Sequence, residues 1–125
     1  MRKPRHQILV VDDNREFCQL MRDFLTRINY DIIVFNSVEE AVTSLKSRQH
    51  RQVDLIITEL HFRRTTPAEA LSLLQPFGVP IIVVTSLDGR PGSANEHGVA
   101  GYLVKPFPLS EIAALVDGEL KKVKK

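Results

Sequence analysis

Five short runs of aliphatic residues punctuate the chain, at 8–11, 32–35, 55–57, 81–84 and 102–104, with starts 24, 23, 26 and 21 residues apart. Each run is rich in Ile and Val, continuous rather than alternating, and bounded by polar residues, which predicts strands buried on both faces of a parallel sheet. Between the first two, Phe17, Leu20, Met21, Phe24, Leu25 and Ile28 recur at helical steps, with Asp13 or Asn14 as N-cap. Ser37 and Glu40 form a capping-box pattern ahead of Ala41, Val42 and Leu45. Thr66, Pro67 and Glu69 open a third helix that runs through Ala70, Leu71, Leu73 and Leu74 to a stop at Pro76. A last helix starts near 108–110 and turns Ile112, Leu115, Val116 and Leu120 inward. The segment 87–97 should hold the fourth helix, but Gly89, Pro91 and Gly92 limit it to one or two turns. Strands alternating with helices at this spacing imply right-handed βαβ units, hence a doubly wound (βα)5 α/β fold with strand order 2-1-3-4-5. Such a sheet carries its site beyond the carboxyl ends of the strands, where the winding reverses.

The length of 125 residues, with 43% hydrophobic and 26% charged, fits one domain, its core at about 7–122 between basic tails. No apolar stretch approaches the ~20 residues of a membrane-spanning helix. The basic start of the chain has no apolar segment behind it, so a cytoplasmic location and no membrane partner are expected. A lone Cys18 forms no internal disulfide and no thiolate cluster, and the four histidines show no paired metal spacing. The net charge of +2 is carried by the tails, because residues 6–120 hold ten basic against 15 acidic groups. An acidic body is a poor footprint for nucleic acid, and no direct nucleic-acid binding is expected.

The residues that follow the strands change the picture. Asp12 and Asp13 follow the first, Thr58 and Glu59 the third, Thr85 and Ser86 the fourth, and Lys105 the fifth. In the expected strand order these ends are neighbours, so three carboxylates converge, which raises their pKa values unless cations offset them. Lys105 is one such cation and Mg²⁺ is the natural other, since it favours oxygen ligands and is held by one or two carboxylates together with phosphate oxygens. A Thr85 hydroxyl and a Lys105 ammonium are suited to phosphate oxygens, and a carboxylate to accepting a phosphoryl group. Singly, each of these residues is an ordinary cap, surface hydroxyl or loop; their coincidence at matched strand ends carries the weight.

The motifs ILVVDDN at 8–14, DLIITEL at 54–60, IIVVTS at 81–86 and GYLVKPF at 101–107 resemble those of the receiver domain of bacterial two-component response regulators, over about 7–122. The resemblance implies a flavodoxin-like fold in which Asp12 and Asp13 hold Mg²⁺ with the backbone carbonyl of His61. It implies Thr85 as switch hydroxyl, Tyr102 as the aromatic that turns inward on activation, Lys105 as the phosphoryl partner, and a cis bond before Pro106. At the family's phosphoacceptor aspartate this chain has Glu59, which keeps the charge and still ligates a metal. Its extra methylene moves the carboxylate about 1.5 Å. In-line transfer tolerates such displacement poorly, at about 10²-fold in rate per ångström. Glu59 either imitates an acyl phosphate by reaching Lys105 and Thr85, or marks a retired switch whose surface serves fixed docking. The loop after it, residues 61–66, lacks the family's proline and glycine and carries Arg63 and Arg64.

The expectation is therefore a phosphorelay-type receiver, degenerate and independent of phosphorylation. It works by contact with an output domain or target protein rather than as a histidine-kinase or phosphotransfer substrate, and is not a turnover enzyme. The alternatives are a working regulator that accepts phosphate on Glu59, and a small flavodoxin-like enzyme or flavin binder. The chain has neither a phosphate-binding loop after the first strand nor a G-x-G-x-x-G turn to favour the latter.

Overall fold

The computed structural model describes residues 5–47, 52–86 and 99–123. In chain order these form β1 (Gln7–Val11), α1 (Arg15–Arg27), β2 (Asp31–Phe35), α2 (Val38–Ser47), β3 (Leu55–Thr58), α3 (Pro67–Leu74), a 3-10 turn (Gln75–Phe77), β4 (Ile81–Thr85), β5 (Val99–Val104) and α4 (Leu109–Val123). The short helix expected at 87–97 lies outside the described residues. The five strands form one parallel sheet in the order β2-β1-β3-β4-β5. This is the flavodoxin-like order anticipated from the spacing.

Because side chains alternate across a strand, each aliphatic run feeds two cores. Leu9, Val11, Ile56 and Val83 face α2 and α3, where Val38, Ala41, Leu71 and Leu74 close over them. Ile8, Val10, Leu55, Ile57, Ile82 and Val84 face the opposite way, onto Met21 and Leu25 of α1 and Ile112, Val116 and Leu120 of α4. Nearly all of these side chains are fully buried. Burial of one such aliphatic side chain contributes roughly 1.5–3 kcal/mol.

The helix starts use the expected chemistry. Asn14, not Asp13, caps α1, its Oδ1 accepting from Phe17 N at 3.0 Å. Ser37 Oγ accepts from Glu40 N, and Thr66 and Glu69 close a reciprocal capping box with Pro67 in the first turn. α1 ends where Asn29 takes a left-handed conformation, φ 81°. Two details depart from the apolar pattern. The inward face of α1 is Cys18, Met21 and Leu25, so Leu20 (46% exposed) and Ile28 (37%) fall on its rim. β5 begins three residues before the run at 102–104, because Ile81 pairs with Val99 and Ile82 with Gly101, leaving Ala100 as a bulge.

Gly101 has a packing reason. A Cβ there would lie 3.2 Å from both methyl groups of Leu115 on α4. Gly101→Ala is expected to cost about 1 kcal/mol and Gly101→Val about 2–3 kcal/mol through overpacking. Urea midpoints check this, and Leu115→Ala should relieve the cost of Gly101→Val.

Candidate functional site

The carboxyl ends of β1, β3, β4 and β5 meet at one end of the sheet, as parallel register requires. β1 pairs with β3 up to Val11↔Thr58 and β4 with β5 up to Thr85↔Val104, and the residues that follow β1, β3 and β5, namely Asp12, Glu59 and Lys105, meet in one pocket. Asp12 is fully buried there. Its Oδ1 accepts from Asn14 N at 2.9 Å and its Oδ2 from Lys105 Nζ at 2.8 Å. Its backbone carbonyl accepts from Asn36 Nδ2 at 2.9 Å and from the Cys18 thiol at 3.3 Å. Lys105 is aimed by its own backbone, whose N–H donates to Thr85 O at 2.7 Å, and is followed by a cis bond to Pro106.

Glu59 is also buried, and its backbone N–H donates to Val11 O at 3.0 Å. Its side chain turns back on the chain that follows it: Oε1 accepts from Leu60 N at 2.7 Å and from His61 N at 3.2 Å. Oε2 faces Lys105 Nζ at 3.8 Å. The pocket thus brings together Asp12, Glu59 and Lys105, with the lysine paired to Asp12 and only loosely to Glu59.

The other expected residues are distributed around this group. Thr85 is fully buried. Tyr102 is half-buried, its hydroxyl enclosed, and packs with the cluster on the α2 and α3 side. Asp13 and His61 are exposed, His61 meeting the pocket through its backbone N–H. Three residues that the sequence did not single out for the pocket complete it. Asn14 and Asn36 tie Asp12 in place, and Phe17 lies under the Lys105 ammonium, 4.1 Å from ring centroid to Nζ. Asn14 had a visible cue as a helix cap, whereas Asn36 and Phe17 had none.

Burial is the leading cause that raises the Asp12 pKa above its ordinary 3.8, with the Glu59 charge adding to it and Lys105 and the Asn14 N–H opposing. Burial first, and then the Asp12 charge, pushes the Cys18 thiol up to about 11. Cys18 is therefore an inert, protonated side chain at neutral pH.

Residues 8–117 match the response regulator receiver domain family. The chain belongs to that family. Among curated relatives, this receiver domain is 30% identical over 119 residues to the transcriptional regulatory protein YvrH of Bacillus subtilis, covering 92% of this chain and 49% of that protein. It is 27% identical over 120 residues to the nisin biosynthesis regulatory protein NisR of Lactococcus lactis, covering 94% and 51%. The chain spans about half the length of these two relatives. Among solved structures, a two-component response regulator from Clostridium difficile superposes with a TM-score of 0.84 at 23% identity, covering 97% of this chain and 100% of that one. The response regulator TrrA of Thermotoga maritima, solved in complex with Mg(2+)-BeF, superposes with a TM-score of 0.78 at 23% identity, covering 90% and 97%. Receiver domains typically bind Mg²⁺ at the phosphorylation site and serve as signalling modules. Among the described residues, no group of three or more His, Cys, Asp and Glu side chains is arranged to hold a metal ion, and no helix is long and apolar enough to cross a membrane.

Proposed function

We propose that this receiver domain signals through protein contacts without being phosphorylated, with Glu59 at the position where the family carries its phosphoacceptor aspartate. The observation that carries this reading is the Glu59 carboxylate closed onto the amides of Leu60 and His61. Phosphoryl transfer relies on positioning and charge neutralisation. An acceptor oxygen bonded to two backbone amides, on a side chain one methylene too long, is badly placed for an in-line attack.

Of the two roles for Glu59, the retired switch is favoured. A phosphoryl group carries nearly two charges and three acceptor oxygens. It would draw the Lys105 ammonium into contact, whereas Glu59 leaves Lys105 paired with Asp12 at 2.8 Å and itself 3.8 Å away. The partner is an output domain or target protein that reads the fixed surface. The hard oxygen donors that would hold Mg²⁺ are those of Asp12, Asp13, Glu59 and the His61 carbonyl; they are not gathered as a ligand group in this structure, where Asp13 is exposed and Glu59 Oε1 is bonded to the Leu60 and His61 amides. When bound, the ion would neutralise carboxylate charge.

The test is intact mass after incubation with acetyl phosphate and Mg²⁺, with Glu59→Asp in parallel. The expected result is one added phosphoryl group on Glu59→Asp and none on the parent chain. A phosphoryl group mapped to Glu59 in the parent would replace this reading with a working regulator of unusual acceptor, the role for which the Oε2 atom turned toward Lys105 is suited.

A further inference from the structure

The Lys105 ammonium stands between two carboxylates but is not shared equally. It lies 2.8 Å from Asp12 Oδ2, 3.8 Å from Glu59 Oε2, and 4.1 Å from the centroid of the Phe17 ring. A cation over an aromatic face is attracted by the ring quadrupole, more strongly as water is excluded, and the Lys105 side chain is only 17% exposed. We propose that Phe17 is a positioning residue that, with Asp12, holds the Lys105 ammonium on the α1 side of the pocket and sets how that charge is divided between Asp12 and Glu59.

The ring is itself fixed. Phe17 lies in the first turn of α1, where its N–H donates to the Asn14 cap, and it meets Phe107 edge to face at 6.2 Å with planes at 75°. Phe107 is two residues beyond Lys105, so the loop that delivers the lysine also braces the ring it rests on. Both anions attract the ammonium, so a further contact on the Asp12 side adds to the preference for that side. A cation–π contribution corresponds to roughly a 2- to 30-fold preference for the Asp12 side. An aliphatic side chain at position 17 would fill the space without supplying it. The inference deepens the receiver reading, and rests on it only for the use made of the pocket.

NMR of the whole chain, with lysine labelled at Cε and Lys105→Arg used for assignment, tests the hold directly. In the parent, the Lys105 ε-protons are expected upfield of those of the other lysines through the ring current, with cross-peaks to the Asp12 β-protons stronger than to the Glu59 γ-protons. Phe17→Tyr should preserve both features. In Phe17→Leu the cross-peaks to Glu59 should gain on those to Asp12 by roughly 2-fold or more, a transfer that simple loss of packing would not produce. Unshifted Lys105 protons in the parent would overturn the proposal, as would Phe17→Leu leaving the Asp12 cross-peaks dominant. None of these signals depends on phosphorylation, so the outcome is separable from that of the acetyl phosphate experiment.

Discussion

Lys105→Met is expected to lower stability at pH 7 by about 2 kcal/mol, whereas Asp12→Asn in the same pocket is expected to raise it by about 1 kcal/mol. The opposite signs follow from the charge arrangement. Lys105 is the partner of a fully buried Asp12 at 2.8 Å and lies 3.8 Å from a buried Glu59, so its removal leaves two desolvated carboxylates facing each other. Removing one member of a buried pair costs about 3–5 kcal/mol, here reduced because part of the lysine side chain reaches solvent. Asp12→Asn keeps an oxygen for the Asn14 N–H and removes the charge that burial disfavours, and unlike Lys105→Met it leaves no uncompensated charge, because Lys105 retains Glu59 at 3.8 Å.

The pH dependence separates this from packing effects. The Asp12 pKa is raised in the folded chain above 3.8, so its ionisation penalises the fold. That penalty is absent below pH 3.8, grows as pH rises through the raised value, and is complete above it. The gain from Asp12→Asn should therefore be full at pH 7 and vanish on acidification, and the loss from Lys105→Met should shrink over the same range. Urea midpoints at pH 7 and near pH 4 measure both. A Lys105→Met deficit that is independent of pH would mean that the lysine does not stabilise the fold by offsetting Asp12.

Ile57→Ala should cost more, about 3–4 kcal/mol. Ile57 is fully buried on β3, opposite Val10 of β1 and Ile82 of β4, and faces the core under α1 and α4. The sheet backbone on both sides is held by its hydrogen-bond ladder, so the cavity has little scope to collapse. Against a total stability of about 5–15 kcal/mol for a domain, that loss is a large fraction. Leu20→Ala on the rim of α1 is the contrasting case, expected to stay within about 0.5 kcal/mol.

What the sequence disclosed and what it withheld divide along physical lines. The continuous Ile and Val runs mark β1, β3 and β4 because a strand buried on both faces has no polar face to interrupt it; β2, at the edge of the sheet, carries a similar run but is only half-buried. Thr66, Pro67 and Glu69 mark the start of α3 because a helix cap is a local arrangement. β5 is longer than its aliphatic run because the Ala100 bulge and Gly101 owe their place to pairing with β4 and contact with Leu115, neither of which is local. The same distinction holds in the pocket. Asp12, Glu59 and Lys105 are legible as strand-end residues, since topology alone brings strand ends together. The fold-back of the Glu59 carboxylate onto Leu60 and His61, and the seat of Lys105 on Phe17, depend on side-chain torsions and on a residue 88 positions away, to which no periodicity points.

The strand order also has a consequence for synthesis on the ribosome. β1 and β2 emerge first and are neighbours, and each later strand then joins the opposite side of β1 in the order of its translation. The growing sheet always offers the next strand a ready edge, so no strand need be inserted between two already paired. The lysine, however, arrives just after the last strand. Lys105 follows β5, so Asp12 and Glu59 gain their cation only when the last strand has joined the sheet. Completing the pocket's charge balance thus coincides with the final docking step, making the Lys105 loop the latch on the finished domain.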